Sequence, residues 1–186
     1  MSLPLRKIAG VCAALLFGAA FIVAFFARPV RDFWVDDTLF SKEIREAALR
    51  HGLPPQLVRA VVFQESRFDP RARGGKGEIG LMQILPSGAV AEWARVHKKA
   101  LPSEDQLFQV PLNLEIGCWY LGRALKRWEK YGECLELALV QYNAGERRAK
   151  KWKPDTWKGK VIPRIKLRST RRYVEQITTR YRNYIR

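Results

Sequence analysis

The 186-residue chain carries a formal net charge of +16, and its length leaves room for one domain of ordinary size plus a short appendage. Its two histidines, His51 and His97, are far apart and flanked by solvent-type residues. That excludes a histidine metal site or a nucleophile–base pair built from them.

After Arg6 and Lys7, Ile8 to Ala27 form an uncharged run of 20 residues. At 1.5 Å per residue this is about 30 Å, the thickness of a bilayer core. A cleaved signal peptide also begins with a basic stretch and an apolar run. Here the run is longer than a usual signal core and closes on Ala24-Phe25-Phe26-Ala27, which puts Phe at the −3 site. A lipid-modified Cys12 is excluded because most of the apolar run follows it. The reading taken is an uncleaved signal anchor, a transmembrane helix within residues 1–27. A juxtamembrane linker (28–37) and one domain (38–186) follow, with Trp34 suited either to the interface or to packing on the domain.

A helix from about Thr38 to Arg50 has Leu39, Ile44, Ala48 and Leu49 as apolar positions and Gly52 as its stop. Pro54-Pro55 opens the next, since Pro is well tolerated at the first helical position. In it Val58, Val61, Val62 and Glu65 fall at i, i+3, i+4 and i+7 and share one face. A carboxylate on a core-facing stripe has two explanations. Burial raises its pKa and makes it a general acid, or it is a structural Glu paired with an Arg or an amide. Asp69-Pro70 is expected to end this helix, because the residue before a proline is pushed out of the α region.

A basic loop with Gly74, Gly75 and Gly77 then leads to Gly80-Leu81-Met82-Gln83. Such glycines permit positive φ and close approach of backbone to a ligand. The phosphate-cradling pattern is absent and no strand precedes the loop. Pro86-Ser87 opens a helix through about Lys98 that carries Trp93. Leu114, Gly117, Leu121, Leu125 and Trp128 mark a longer helix, broken at Tyr131-Gly132. Its partner runs from about Glu133 to Asn143. The last helix starts near Thr170 and buries Val174, Ile177 and Tyr181. With no sustained period-2 alternation, no hairpin signal and no repeat, the domain is all or mostly α. The stretch from Lys153 to Arg168 is too rich in Pro, Gly and charge to be assigned an element.

Cys12 lies in the apolar run, which leaves Cys118 and Cys134 as the only pair. Cys134 sits beside the turn of the helical hairpin and Cys118 roughly 18 Å away along the axis. A bridge needs Cα atoms within about 7 Å, so both are read as core thiols. From Glu146 to Arg186 there are 15 Lys or Arg against 3 Asp or Glu, which makes this part an electrostatic address for a polyanion. Nucleic acid is one partner of that kind, with Trp152, Trp157, Tyr173, Tyr181 and Tyr184 to stack on bases. Core packing accounts for most aromatics of the last helix, however. For a domain outside the membrane, anionic lipid or wall polymer fits better, and no nucleic acid is expected.

Glu65-Ser66 followed by Phe68, Pro70 and Ala72, then Gly80-Leu81-Met82-Gln83, resembles the soluble lytic transglycosylase domain. This is a lysozyme-like family acting on peptidoglycan. Two further stretches fit: Asn113 to Leu121 resembles its N-I-x-x-G-x-x-Y-L helix, and Tyr142-Asn143-Ala144-Gly145 its A-Y-N-A-G motif. The resemblance implies cleavage of the β-1,4 bond between N-acetylmuramic acid and N-acetylglucosamine with a 1,6-anhydro product, and no metal or cofactor. It makes Glu65 the acid and then the base. Ser66, Gln83, Met82 and Tyr142 become substrate-side residues. Ser66 and Gln83 bond substrate or Glu65, Met82 lines the cleft, and Tyr142 holds Glu65 or the substrate's acetamido group, while Asn143 fixes its own loop. The implied setting is a bacterial inner membrane, single-pass, with the domain facing the periplasm and cell wall.

Three positions depart from the family pattern. Glu78 stands where a small residue is usual, and Gly74 where Ser is common. Ser169, in Ser169-Thr170-Arg171-Arg172-Tyr173-Val174, stands where the family has a glutamate. Two other functions therefore stay open. One is a weakly active or inactive peptidoglycan-binding scaffold of an envelope-spanning assembly. The other is a lysozyme-like hydrolase using Glu78.

Overall fold

A computed structural model describes residues 35–186. The chain divides into two units, 1–36 and 37–186, and the second is described here. The expected anchor and residues 28–34 of the expected linker lie outside the described residues. Among those residues no helix is long and apolar enough to cross a membrane.

Eight α-helices follow in order: α1 (Ser41–Arg50), α2 (Pro55–Ser66), α3 (Ala91–Val96), α4 (Glu104–Leu107), α5 (Val110–Trp128), α6 (Cys134–Ala144), α7 (Glu146–Trp152) and α8 (Arg168–Tyr184). A π-helical turn, Pro86–Val90, leads into α3, and a 3₁₀ turn, Ile162–Arg164, precedes α8. Among the described residues there is no strand. Isolated bridges join Arg73 to Ile79 and Ile79 to Ile84 inside the glycine loop. The mostly helical expectation holds.

The centre of the domain is α2. Leu57, Val58, Ala60, Val61, Val62 and Phe63 are all buried, so the helix is apolar nearly all round and must be enclosed. α1 and α8 pack against it, and α8 also reaches α6. The hairpin of α5 and α6 forms the most extensive helix pair, with Leu114, Leu121, Leu137 and Leu139 fully buried. Gly122 lets this hairpin approach α1, since a Cβ there would lie 3.1 Å from the His51 carbonyl oxygen.

Several expectations are corrected. α2 ends at Ser66, before Asp69-Pro70, because Arg67 and Phe68 both take left-handed backbone (φ 51° and 65°). Phe68 is buried against Phe63, and that burial offsets the cost of a bulky residue at positive φ. Leu39 and Leu49 are exposed, and the buried face of α1 is Ile44, Ala47 and Ala48. α4 was unassigned, although Ser103 and Gln106 form a reciprocal capping box there. The basic stretch after Gly145 begins with a helix, α7, that buries Ala149 and Trp152. Tyr181 is only half-buried, and Tyr173 and Thr178 join Val174 and Ile177 in the core. Both cysteines are free, as expected, but only Cys118 is a core thiol, because Cys134 is half-exposed.

Candidate active site

The last turn of α2 delivers Glu65 to the floor of a cleft of about 360 Å³. Glu78, Gln83, Tyr120, Tyr142 and Asn143 line the cleft as well, with Lys76 and Arg148 adding positive charge. Glu65 is packed by protein on every side but the cleft, and burial is the main reason its pKa rises from 4.5 to about 7. A hydrogen bond from Tyr173 opposes that rise, and the charge of Glu78 adds to it. The Tyr173 hydroxyl donates to Oε1 at 2.6 Å. With Oε1 engaged as an acceptor, the acidic proton of a neutral Glu65 sits on Oε2. A neutral carboxyl at near-neutral pH, oriented on one oxygen and open to a cleft, is a proton donor for a leaving group.

The loop holding Met82 and Gln83 is pinned from below by Asn113 of α5. Its Oδ1 accepts from the Met82 amide (2.8 Å), while Nδ2 donates to the carbonyls of Ile79 (2.9 Å) and Leu107 (2.8 Å). Gly80, at φ 73°, leaves room for that amide, since a Cβ there would lie 3.0 Å from Asn113 Cγ. Gly117 does the same for Met82, whose Cβ would be 2.8 Å from any Cβ added. Both glycines are needed for close approach, one of α5 to the loop and one of the loop to α5.

The expected site residues divide between the cleft and its frame. Gln83 lines the cleft, but its amide nitrogen, Nε2, is turned onto the carbonyls of Ala72 (3.1 Å) and Gly80 (2.9 Å). Ser66 donates to the Leu81 carbonyl (2.9 Å) and so ties α2 to the loop. Met82 is fully buried, and the structure places it outside the cleft lining. Tyr142 lines the cleft and its hydroxyl donates to the Met82 carbonyl (2.8 Å), not to Glu65. Asn143 accepts from Thr170 Oγ1 (2.8 Å), a bond between the start of α8 and the end of α6.

Two residues escaped the sequence reading of the site. Tyr120 lies in the cleft wall with its ring edge-on to Tyr142, centroids 5.6 Å apart. It belongs to the same α5 motif as Asn113, so a signal existed. Tyr173 follows Ser169 by four residues, one turn along the same face of α8. Ser169 itself is exposed.

Residues 42–161 match the transglycosylase SLT domain family. With the mostly helical, lysozyme-like fold, this places the chain in that family: it belongs to the transglycosylase SLT domain proteins. The membrane-bound lytic murein transglycosylase E of Buchnera aphidicola is 35% identical over 86 residues, which are 46% of this chain and 39% of that protein. The membrane-bound lytic murein transglycosylase F of Desulfosudis oleivorans is 34% identical over 109 residues, 57% of this chain and 22% of its own. Among solved structures, an inactive glutamate-to-glutamine mutant of lytic transglycosylase Slt from Pseudomonas aeruginosa superposes with a TM-score of 0.68 at 29% identity. That match covers 79% of this chain and 24% of the other. The chain thus spans under half the length of these relatives.

Proposed function

We propose that this protein is a peptidoglycan lytic transglycosylase that uses Glu65 first as acid and then as base. The observation that carries the proposal is the Glu65 carboxyl on the cleft floor, hydrogen-bonded by Tyr173 at 2.6 Å and raised by its surroundings to about 7. Glu65 protonates the glycosidic oxygen between N-acetylmuramic acid and N-acetylglucosamine, and the C1–O bond breaks. The 2-acetamido group stabilises C1 as an oxazolinium. The ionised Glu65 then takes the proton of the C6 hydroxyl as that oxygen closes on C1. Proton and electron pair balance without water, and the product is a 1,6-anhydromuramoyl end. No metal or cofactor takes part in these steps. The named relatives are lytic murein transglycosylases, and the inactive form of the Pseudomonas relative is itself a glutamate-to-glutamine exchange. The proposal also places residues 1–27 in the inner membrane and the domain in the periplasm.

A second reading rests on Glu78, a further carboxylate lining the same cleft. Two carboxylates suit a hydrolase, one as acid and one as base or nucleophile. Mass spectrometry of muropeptides released from purified peptidoglycan separates the two. In the transglycosylase reading the products carry anhydro ends, Glu65→Gln loses about 10²–10⁴-fold in rate, and Glu78→Gln keeps the same product. Reducing ends, abolished by Glu78→Gln, would establish the hydrolase. A folded protein that releases neither product but is retained on peptidoglycan would establish a binding scaffold.

A further inference from the structure

Trp93, Trp119, Trp128 and Trp152 are buried, whereas Trp157 is 59% exposed. It sits on a tongue, residues 153–160, whose backbone is held at both ends and across its middle. Pro154 is buried at the base. Gly159 crosses directly over it, since a Cβ there would be 2.5 Å from Pro154 Cβ. The Trp157 carbonyl accepts from the Gly132 amide (2.7 Å), and the Thr156 carbonyl from the Gly159 amide (3.1 Å). Arg164 grips Asp155 with two bonds, at 3.0 and 3.3 Å. Beyond the tongue, the Val161 amide donates to Glu133 Oε2 (2.7 Å). These bonds fix the backbone on either side of an indole that is left in water.

The side chains around that indole are cationic. Lys158 Nζ lies 4.7 Å from the centre of the Trp157 ring. Lys160 is largely exposed although it pairs with Glu133. Lys153 leans over the Tyr131 ring at 5.8 Å. Lys151, Lys153 and Lys158 have no carboxylate partner among the described residues. The tongue meets α6 at its first residues, while the cleft lies at its last. At 1.5 Å per residue the two are separated by about 16 Å.

We propose that the tongue is a docking surface for an anionic lipid bilayer, with Trp157 at headgroup level and Lys151, Lys153 and Lys158 among the lipid phosphates. Indole, apolar with one polar edge, partitions to the bilayer interface, and clustered lysines are attracted to an anionic leaflet. Duplex or single-stranded nucleic acid shares the phosphate chemistry and is distinguished by experiment. The inference is independent of the reaction assigned to the cleft.

The test uses full-length protein reconstituted into bilayers whose acyl chains carry bromine, a short-range quencher of indole. The readout is the difference in quenching between the wild type and Trp157→Phe, which isolates Trp157 from the other tryptophans. The expected result is a Trp157 component quenched in phosphatidylglycerol-containing bilayers, absent in phosphatidylcholine alone and lost at high salt. Lys153→Glu and Lys158→Glu should each weaken it by about fivefold or more. Equal quenching of wild type and Trp157→Phe, or equal quenching in neutral and anionic bilayers, overturns the proposal. So does shielding of Trp157 from acrylamide by DNA or peptidoglycan sacculi when anionic bilayers give none.

Discussion

At Glu65, burial and the Tyr173 hydroxyl act in opposite directions on one proton, and burial wins. The consequences for stability and for rate share a sign. Between about pH 4.5 and 7 the unfolded chain has released this proton and the folded protein has kept it. The unfolded state then binds fewer protons, so stability falls as pH rises through that window. The size is on the order of 3 kcal/mol, present in full below pH 4.5 and gone above about 7. Glu65→Gln should remove this dependence, seen as a flatter Tm against pH. Activity that needs the neutral acid should decline above about 7 as well. Tyr173→Phe keeps the buried ring but deletes the bond that lowers the pKa, so the alkaline limb of the pH–rate profile should move to higher pH. A uniform loss of rate with an unmoved limb would reduce Tyr173 to a packing residue.

Among the elements, the loop from Arg73 to Ile84 depends on α5 beneath it. Asn113 supplies one acceptor and two donors to three backbone groups, all of them buried. Asn113→Ala would orphan the Met82 amide and the Leu107 carbonyl, while the Ile79 carbonyl would keep the Ile84 amide (3.1 Å). At about 1–3 kcal/mol for each of the two orphaned groups, the loss is on the order of 2–6 kcal/mol, measurable by urea unfolding. A loss under about 1 kcal/mol would mean that the loop holds its own shape. The same geometry explains why Met82 and Ser66 act as frame. Met82 offers its carbonyl to Tyr142, and Ser66 offers its hydroxyl to Leu81. Side chain and backbone of one short motif thus serve different neighbours.

On the scale of the whole molecule, helical periodicity identified α5 and α8 by their apolar stripes and α2 by its run of buried apolar residues. In contrast, α6 was placed only as the partner of α5 across the Tyr131-Gly132 break. Glu65 stood out as a carboxylate on a core-facing face, although that position left a general acid and a structural partner equally open. Tyr173 did not, since it meets Glu65 from 108 residues away and periodicity names a face without naming its neighbour. α4 and α7 were missed as elements of four and seven residues, too short for a period to repeat. The left-handed pair Arg67-Phe68 has no local signature at all and is imposed by the burial of Phe68. For the chain as a whole, the 20-residue apolar run should keep the full-length protein in the membrane fraction through high salt, with its amino terminus retained. Recovery of a shortened soluble form beginning near Arg28 would show a cleaved signal instead.

The Gly74–Glu78 pair constrains the routes by which such a loop can have changed. The Glu78 carboxylate, which accepts from the Lys76 amide at 2.8 Å, fills the space that a side chain at position 74 would need. A Cβ there would lie 2.9 Å from Glu78 Cβ and 2.8 Å from Gln83 Oε1. Glycine at 74 and glutamate at 78 are therefore sterically coupled. From this sequence, Gly74→Ser meets a clash that Glu78→Ala only partly relieves, because the Cβ of residue 78 and the Gln83 amide oxygen stay where they are. A side chain at position 74 can therefore enter this loop only if both residue 78 and the Gln83 amide shift, and the carboxylate keeps its place in the cleft only while position 74 carries none.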